Sequence, residues 1–119
     1  MKYKDFTEFP VWQRGFKLLL KIYEATKTFP AEERFGLISD MRRAANSITH
    51  NVAEGFGREG TKDKKHFYKM ARGSAYELFS QTLVSAALKY LSEKDRDEFI
   101  KECKGIIEEL NFLMNSLRK

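Results

Sequence analysis

From Leu37 to Val52 the apolar residues Leu37, Met41, Ala44, Ala45, Ile48 and Val52 fall three or four positions apart. That spacing places them on one face of an α-helix and does not fit the alternation of a strand. Alanine dominates the middle of the stripe and lets a facing helix come close, so the segment reads as the central helix of a bundle. Gly55, Gly57 and Gly60 follow. Glycine tolerates the left-handed conformation that helix ends commonly require, which predicts a stop and a corner there.

The rest of the chain offers three more helical patterns. A first helix is predicted to start near Pro10, since proline suits the first helical turn, and to run to about Lys27. Trp12, Phe16, Leu19 and Tyr23 mark one of its faces, and Val11, Leu18 and Ile22 widen it. Phe29-Pro30 then breaks the helix, with Glu32, Glu33 and Arg34 expected in solvent and Phe35 and Leu37 expected to pin the connector to the bundle end. A third helix is predicted from Thr61, whose hydroxyl would cap it, to about Leu91. Phe67, Met70, Ala71, Ser74, Leu78 and Thr82 make one stripe; Tyr76, Phe79, Leu83, Ala86 and Tyr90 make another. Gly73 lies between apolar positions and predicts close backbone contact with another helix. Ser92 is the expected cap of a fourth helix that reaches to near Arg118, with Arg118 and Lys119 favouring its carboxyl end. Its stripe is Phe99, Cys103, Ile106, Leu110, Leu113 and Leu117, with Ile100, Ile107 and Met114 beside it. Four helices with short connectors give an all-α, antiparallel up-and-down four-helix bundle filling residues 1–119 as one domain.

Three separated motifs carry a resemblance. Arg42 to Arg58 reads RRAANSITHNVAEGFGR, Ala71 to Leu78 reads ARGSAYEL, and Val11 to Gln13 reads VWQ. In this order they resemble the four helix bundle proteins, also called 23S rRNA intervening-sequence proteins. The resemblance implies the bundle fold and assembly into rings of five. A related group of bundle proteins serves as accessory subunits to the reverse transcriptases of diversity-generating retroelements, so the resemblance also implies a possible protein partner of that kind.

Composition narrows the function classes. A chain of 119 residues, 42% hydrophobic and 33% charged, is ordinary globular material that buries about two thirds of its unfolded surface. Its apolar runs fall far short of the roughly 20 residues that span a bilayer, and MKYKDFTEF has no signal-peptide core, so a cytoplasmic protein without membrane contact is expected. The single cysteine, Cys103, agrees with a reducing compartment and reads as a small core residue.

Catalytic chemistry finds little footing. A carboxylate-bridged metal bundle needs two Glu-x-x-His pairs and two further glutamates, whereas the chain offers Asp63-x-x-His66 and Ser47-x-x-His50. Ser47 and His50 lack the orienting acid and oxyanion hole of a serine hydrolase. Gly55-x-Gly57-x-x-Gly60 spells a dinucleotide fingerprint but follows a helix, not a strand. No enzyme activity, metal or cofactor is expected.

Charge makes a stronger case. The formal net charge is +5 and the pI about 9.3. Between Arg58 and Arg72 stand Arg58, Lys62, Lys64, Lys65, Lys69 and Arg72 against Glu59 and Asp63, a local balance of +4. Lys62, Lys65 and Lys69 share one helix face near His66, Phe67 and Tyr68, a mixture suited to phosphates and bases, and Arg42 and Arg43 would join it if the second and third helices pack side by side. The competing reading is a solvated helix end. On the second helix Arg43, Ser47, Asn51 and Glu54 form a polar stripe, readable as a ligand groove or, in the reading adopted, as a hydrogen-bonded network fixing helix register or a subunit contact; Arg43 and Glu54 are too far apart to pair. The first, third and fourth helices carry apolar sectors wider than a monomer needs, which predicts an oligomer; its size is what the resemblance implies, a homopentamer, with Trp12, Tyr76, Phe79 or Tyr90 expected in its contacts. Two functions follow: an oligomer that binds RNA or single strands through a repeated basic surface, or a ring that scaffolds a protein partner.

Overall fold

A computed structural model describes residues 3–117. Four helices account for most of it: α1 (Pro10–Thr26), α2 (Ser39–Gly57), α3 (Thr61–Ala87) and α4 (Glu93–Ser116), with no strand among the described residues. Each helix packs on the next and α1 also packs on α4, so consecutive helices run antiparallel around one core in a body of 46 × 22 × 21 Å. None is long and apolar enough to cross a membrane.

The core is built from the periodic residues. Met41, Ala44, Ala45, Ile48 and Val52 of α2 and Phe99, Cys103, Ile106 and Leu110 of α4 are all buried in one core cluster. Burial pushes the Cys103 thiol up to about 12. Ser92 caps α4 as the sequence predicts, its hydroxyl accepting from the Asp95 amide at 3.1 Å. The expected closing charges, Arg118 and Lys119, lie outside the described residues.

On α1 the buried face is Val11, Gly15, Leu18, Ile22 and Thr26, while Phe16 and Tyr23 of the expected face are exposed and Trp12 and Leu19 half-buried. Gly15 explains the rotation: a Cβ there would stand 3.2 Å from both Ile48 Cγ2 and Thr49 Cγ2, so α1 touches α2 through backbone. Gly73 behaves in the opposite way. It faces open space, and Gly105 of α4, crossed by the Arg14 guanidinium, holds the close contact instead.

Helix ends also depart from expectation. α2 stops because Arg58 is extended (φ −81°, ψ 155°), and no described glycine has positive φ. Gly60, not Thr61, is the residue before α3, and no side chain caps that end. α3 ends at Ala87, short of Leu91, where Lys89 turns left-handed (φ 68°) and the Tyr90 amide returns to the Ser85 carbonyl at 3.0 Å.

In the connector a 3-10 turn (Ala31–Glu33) leads into a single π turn (Arg34–Ile38). Glu33 is half-buried: its carboxylate accepts from the Leu37 amide at 3.1 Å and from the Tyr90 hydroxyl at 3.2 Å. Leu37 packs on the core, but Phe35 is 88% exposed and pins nothing, because the turn directs it away from the bundle under the Arg34 guanidinium.

Candidate nucleic-acid interface

The corner between α2 and α3 is locked from within. The Lys64 ammonium reaches back to the last turn of α2 and donates to the carbonyls of Gly55 (3.2 Å) and Phe56 (2.9 Å). At this helix end the Gly55 carbonyl accepts from the closing Arg58 amide at 3.3 Å, and a cation beside the last carbonyls adds a donor and meets the negative end of the helix dipole. Burial lowers the Lys64 pKa. Tyr68, fully buried, lays its ring against Gly55, and Phe56 meets the ring of Phe9 edge-on at 5.3 Å.

Outside this lock, Lys62, Lys65 and Lys69 lie on one face of α3, with Lys62 and Lys69 exposed and Lys65 half-buried. Among the described residues no carboxylate pairs with any of the three. A shallow groove lined by Gly60, Lys62, Asp63 and His66 opens beside them. His66 meets the Phe67 ring edge-on at 5.1 Å, and the Arg58 guanidinium covers the same ring at 4.5 Å. Arg58 is also paired with Glu54 (3.2 Å) and reaches Asp63 at 4.0 Å. Arg72 donates to Asn111 of α4 at 2.6 Å.

The other basic candidates stand apart. α2 and α3 do pack side by side, yet they are antiparallel, so the start of α2 lies toward the far end of α3. Arg42 turns to α1, donating to Thr26 Oγ1 (2.9 Å) and the Tyr23 carbonyl (3.3 Å) with its guanidinium over the Tyr23 ring. Arg43 pairs with Glu77, whose hydrogen bond raises the Arg43 pKa. Glu77 is eight residues past Lys69, about 12 Å along the helix. Arg42 and Arg43 therefore do not join the lysines.

The polar stripe of α2 is divided among partners. Asn51, buried, donates to the Ser47 carbonyl and hydroxyl at 2.9 Å each, and Ser74 of α3 donates to the Ser47 hydroxyl at 2.8 Å. Arg43 and Glu54, at either end, bind Glu77 and Arg58.

The four aromatic candidates differ in surroundings. Trp12 stacks on Phe16, with centroids 5.0 Å apart and planes 12° from parallel. Tyr76 is exposed; Phe79 is half-buried under Lys104; Tyr90 packs on Phe29 and gives its hydroxyl to Glu33. Sequence reasoning passed over Leu20, Val84, Leu88 and Phe112, all exposed. For Leu20 and Val84 the signal was available, as apolar residues off the core-facing positions. The helix-closing role of Lys64 was legible too, as a lysine just beyond a helix end.

A family model described as 23S rRNA-intervening sequence protein matches residues 7–112. Among solved structures the chain resembles a protein of unknown function from the S23 ribosomal protein family of Bacteroides thetaiotaomicron, with a TM-score of 0.79 at 15% sequence identity over 87% of this chain and 97% of that one. At that identity the likeness concerns the fold. No match was found among curated proteins.

Proposed function

The chain belongs to the family of 23S rRNA-intervening sequence proteins, and from that premise we propose that it is a non-enzymatic, homo-oligomeric four-helix bundle of the cytoplasm that binds RNA or single strands through a repeated basic surface. One observation carries this reading: Lys62, Lys65 and Lys69 share a face of α3 and none has an acidic partner among the described residues, while Lys64, Arg58 and Arg72 beside them are already engaged. Three unpaired ammonium groups next to a histidine and a phenylalanine suit a phosphate backbone with unstacked bases alongside. The family description names an intervening sequence of 23S rRNA, which makes structured RNA the first ligand to test. The resemblance to ring-forming bundles supports a homopentamer, and a ring multiplies a weak patch by avidity.

The test is fluorescence anisotropy of labelled structured RNA and single strands across a salt series. Affinity that falls steeply with salt supports the reading, and salt-independent or undetectable binding opposes it. A second reading, a scaffold for a protein partner such as a reverse transcriptase, draws its support from the exposed apolar side chains of α1 and α3 and from Phe112, 77% exposed on α4.

A further inference from the structure

Apart from Phe35 in the connector and Phe112 on α4, the exposed large apolar side chains of the described residues lie on two helices. On α1 they are Phe16 (40% exposed), Leu20 (55%) and Tyr23 (38%). On α3, besides Met70 (46%) next to Lys69, they are Tyr76 (55%), Leu83 (47%) and Val84 (45%), with Leu88 (49%) just past its end. The outward positions of α2 are polar instead, among them Asp40, Arg43, Asn46 and His50. α1 and α3 occupy opposite corners of the bundle, each packed between α2 and α4. One subunit therefore presents two unlike apolar stripes on opposite sides.

We propose that these stripes are the two halves of one contact, in which the α1 stripe of one copy seats on the α3 stripe of the next. This rests on the oligomeric reading above and adds which surfaces meet. A two-fold dimer through α3 would leave the α1 stripe in water, and one through α1 would leave the α3 stripe; a head-to-tail contact covers both with a single interface. Size agrees. Seven large side chains about half exposed, at about 100 Å² each, offer about 700 Å², near the apolar share of a standard interface of about 1,600 Å². The stripes are also similar in length, Trp12 to Tyr23 and Tyr76 to Leu88, each about 17 Å of helix. Their heights overlap, since Arg14 crosses Gly105 while Phe79 lies under the adjacent Lys104.

The lysines stay outside this contact. Lys62, Lys69, Tyr76 and Leu83 are seven apart, so they form one line along α3 that changes from basic to apolar at Gly73, whose surroundings are open. In a ring with every copy pointing the same way, all the basic ends collect at one rim.

Complementary variants test the pairing. Leu20→Glu spoils the α1 stripe and Leu83→Glu the α3 stripe, both at exposed positions where circular dichroism should show unchanged helix. In sedimentation at concentrations above those at which the wild type assembles, each variant alone should be a monomer, and an equal mixture should give a dimer and nothing larger, through the one intact α1–α3 pair. Should Leu20→Glu lose helix, Phe16→Ser takes its place. A variant that still dimerises alone, or keeps the wild-type size, overturns the pairing, as does a mixture that stays monomeric. A wild type of only 13.9 kDa overturns the oligomeric reading itself, which separates the two failures.

Discussion

The ring of Tyr68 occupies the space where a side chain on residue 55 would begin: a Cβ on Gly55 would lie 2.5 Å from Tyr68 Cε1. The glycine serves close approach of α3 to α2, not a left-handed turn. Gly55→Ala should destabilise the fold by about 1–3 kcal/mol through overpacking. Gly73→Ala, on the open outer face of α3, should stabilise it by about 0.5–1 kcal/mol through helix propensity. Urea denaturation of the two variants side by side checks both signs; equal effects would mean that the α2–α3 contact does not depend on the missing side chain.

Lys64 should matter to stability and its neighbours should not. Lys64→Met removes the ammonium that donates to the Gly55 and Phe56 carbonyls, leaving Gly55 only its bond from the Arg58 amide, and is expected to cost about 1 kcal/mol, while Lys62→Met leaves thermal stability nearly unchanged. Melting temperatures of the two variants decide this.

Changing Lys62, Lys65 and Lys69 together to glutamine should weaken RNA binding and reduce the slope of log affinity against log salt by about 2, since each lost phosphate contact removes about 0.7–0.9. Helix content and oligomer size should not change. Arg42→Gln should leave the salt slope intact, because Arg42 is committed to Thr26 and Tyr23. A triple variant with wild-type affinity and slope would reduce the lysine face to a solvated surface.

Burial holds the Cys103 thiol up at about 12, against an ordinary 9.0. Its neutral form is favoured in the folded chain, so above pH 9 the unfolded chain releases a proton that the native state keeps. Stability is fully present below about pH 9 and falls by up to about 1.4 kcal/mol per pH unit from there toward pH 12. Tyr68, also pushed up to about 12 by burial, acts in the same direction. Denaturation across this range should show a shallower decline in Cys103→Ala than in the wild type, and the native thiol should resist alkylation at pH 8.

How much of this was legible in the sequence differs from helix to helix. α4 read correctly because its apolar residues recur at regular steps and its face meets one core. α1 misled because Trp12, Phe16 and Tyr23 are larger and more apolar than the Gly15 and Thr26 that actually face inward, and a glycine contact carries no hydrophobic signal. Residues on one helix face could be grouped from spacing alone, which is why Lys62, Lys65 and Lys69 come together as expected. Placing Arg42 and Arg43 required knowing which end of α3 lies beside the start of α2, and spacing within either helix does not contain that. Phe35 failed for a related reason: its direction is set by the π turn and by Glu33 binding Leu37 and Tyr90, residues far apart in the chain.

The stacking of Trp12 on Phe16 has an optical consequence. The chain holds a single tryptophan, so indole emission comes from one place on the molecule. That place is the half-buried flank of α1, beside the exposed Phe16 and at the amino end of the stripe that includes Leu20. Seating another surface on this stripe would strip water from the indole and move its emission toward the blue, whereas a ligand held at the lysines of α3 would leave the colour alone. The protein carries its own dye, and that dye distinguishes one kind of encounter from the other.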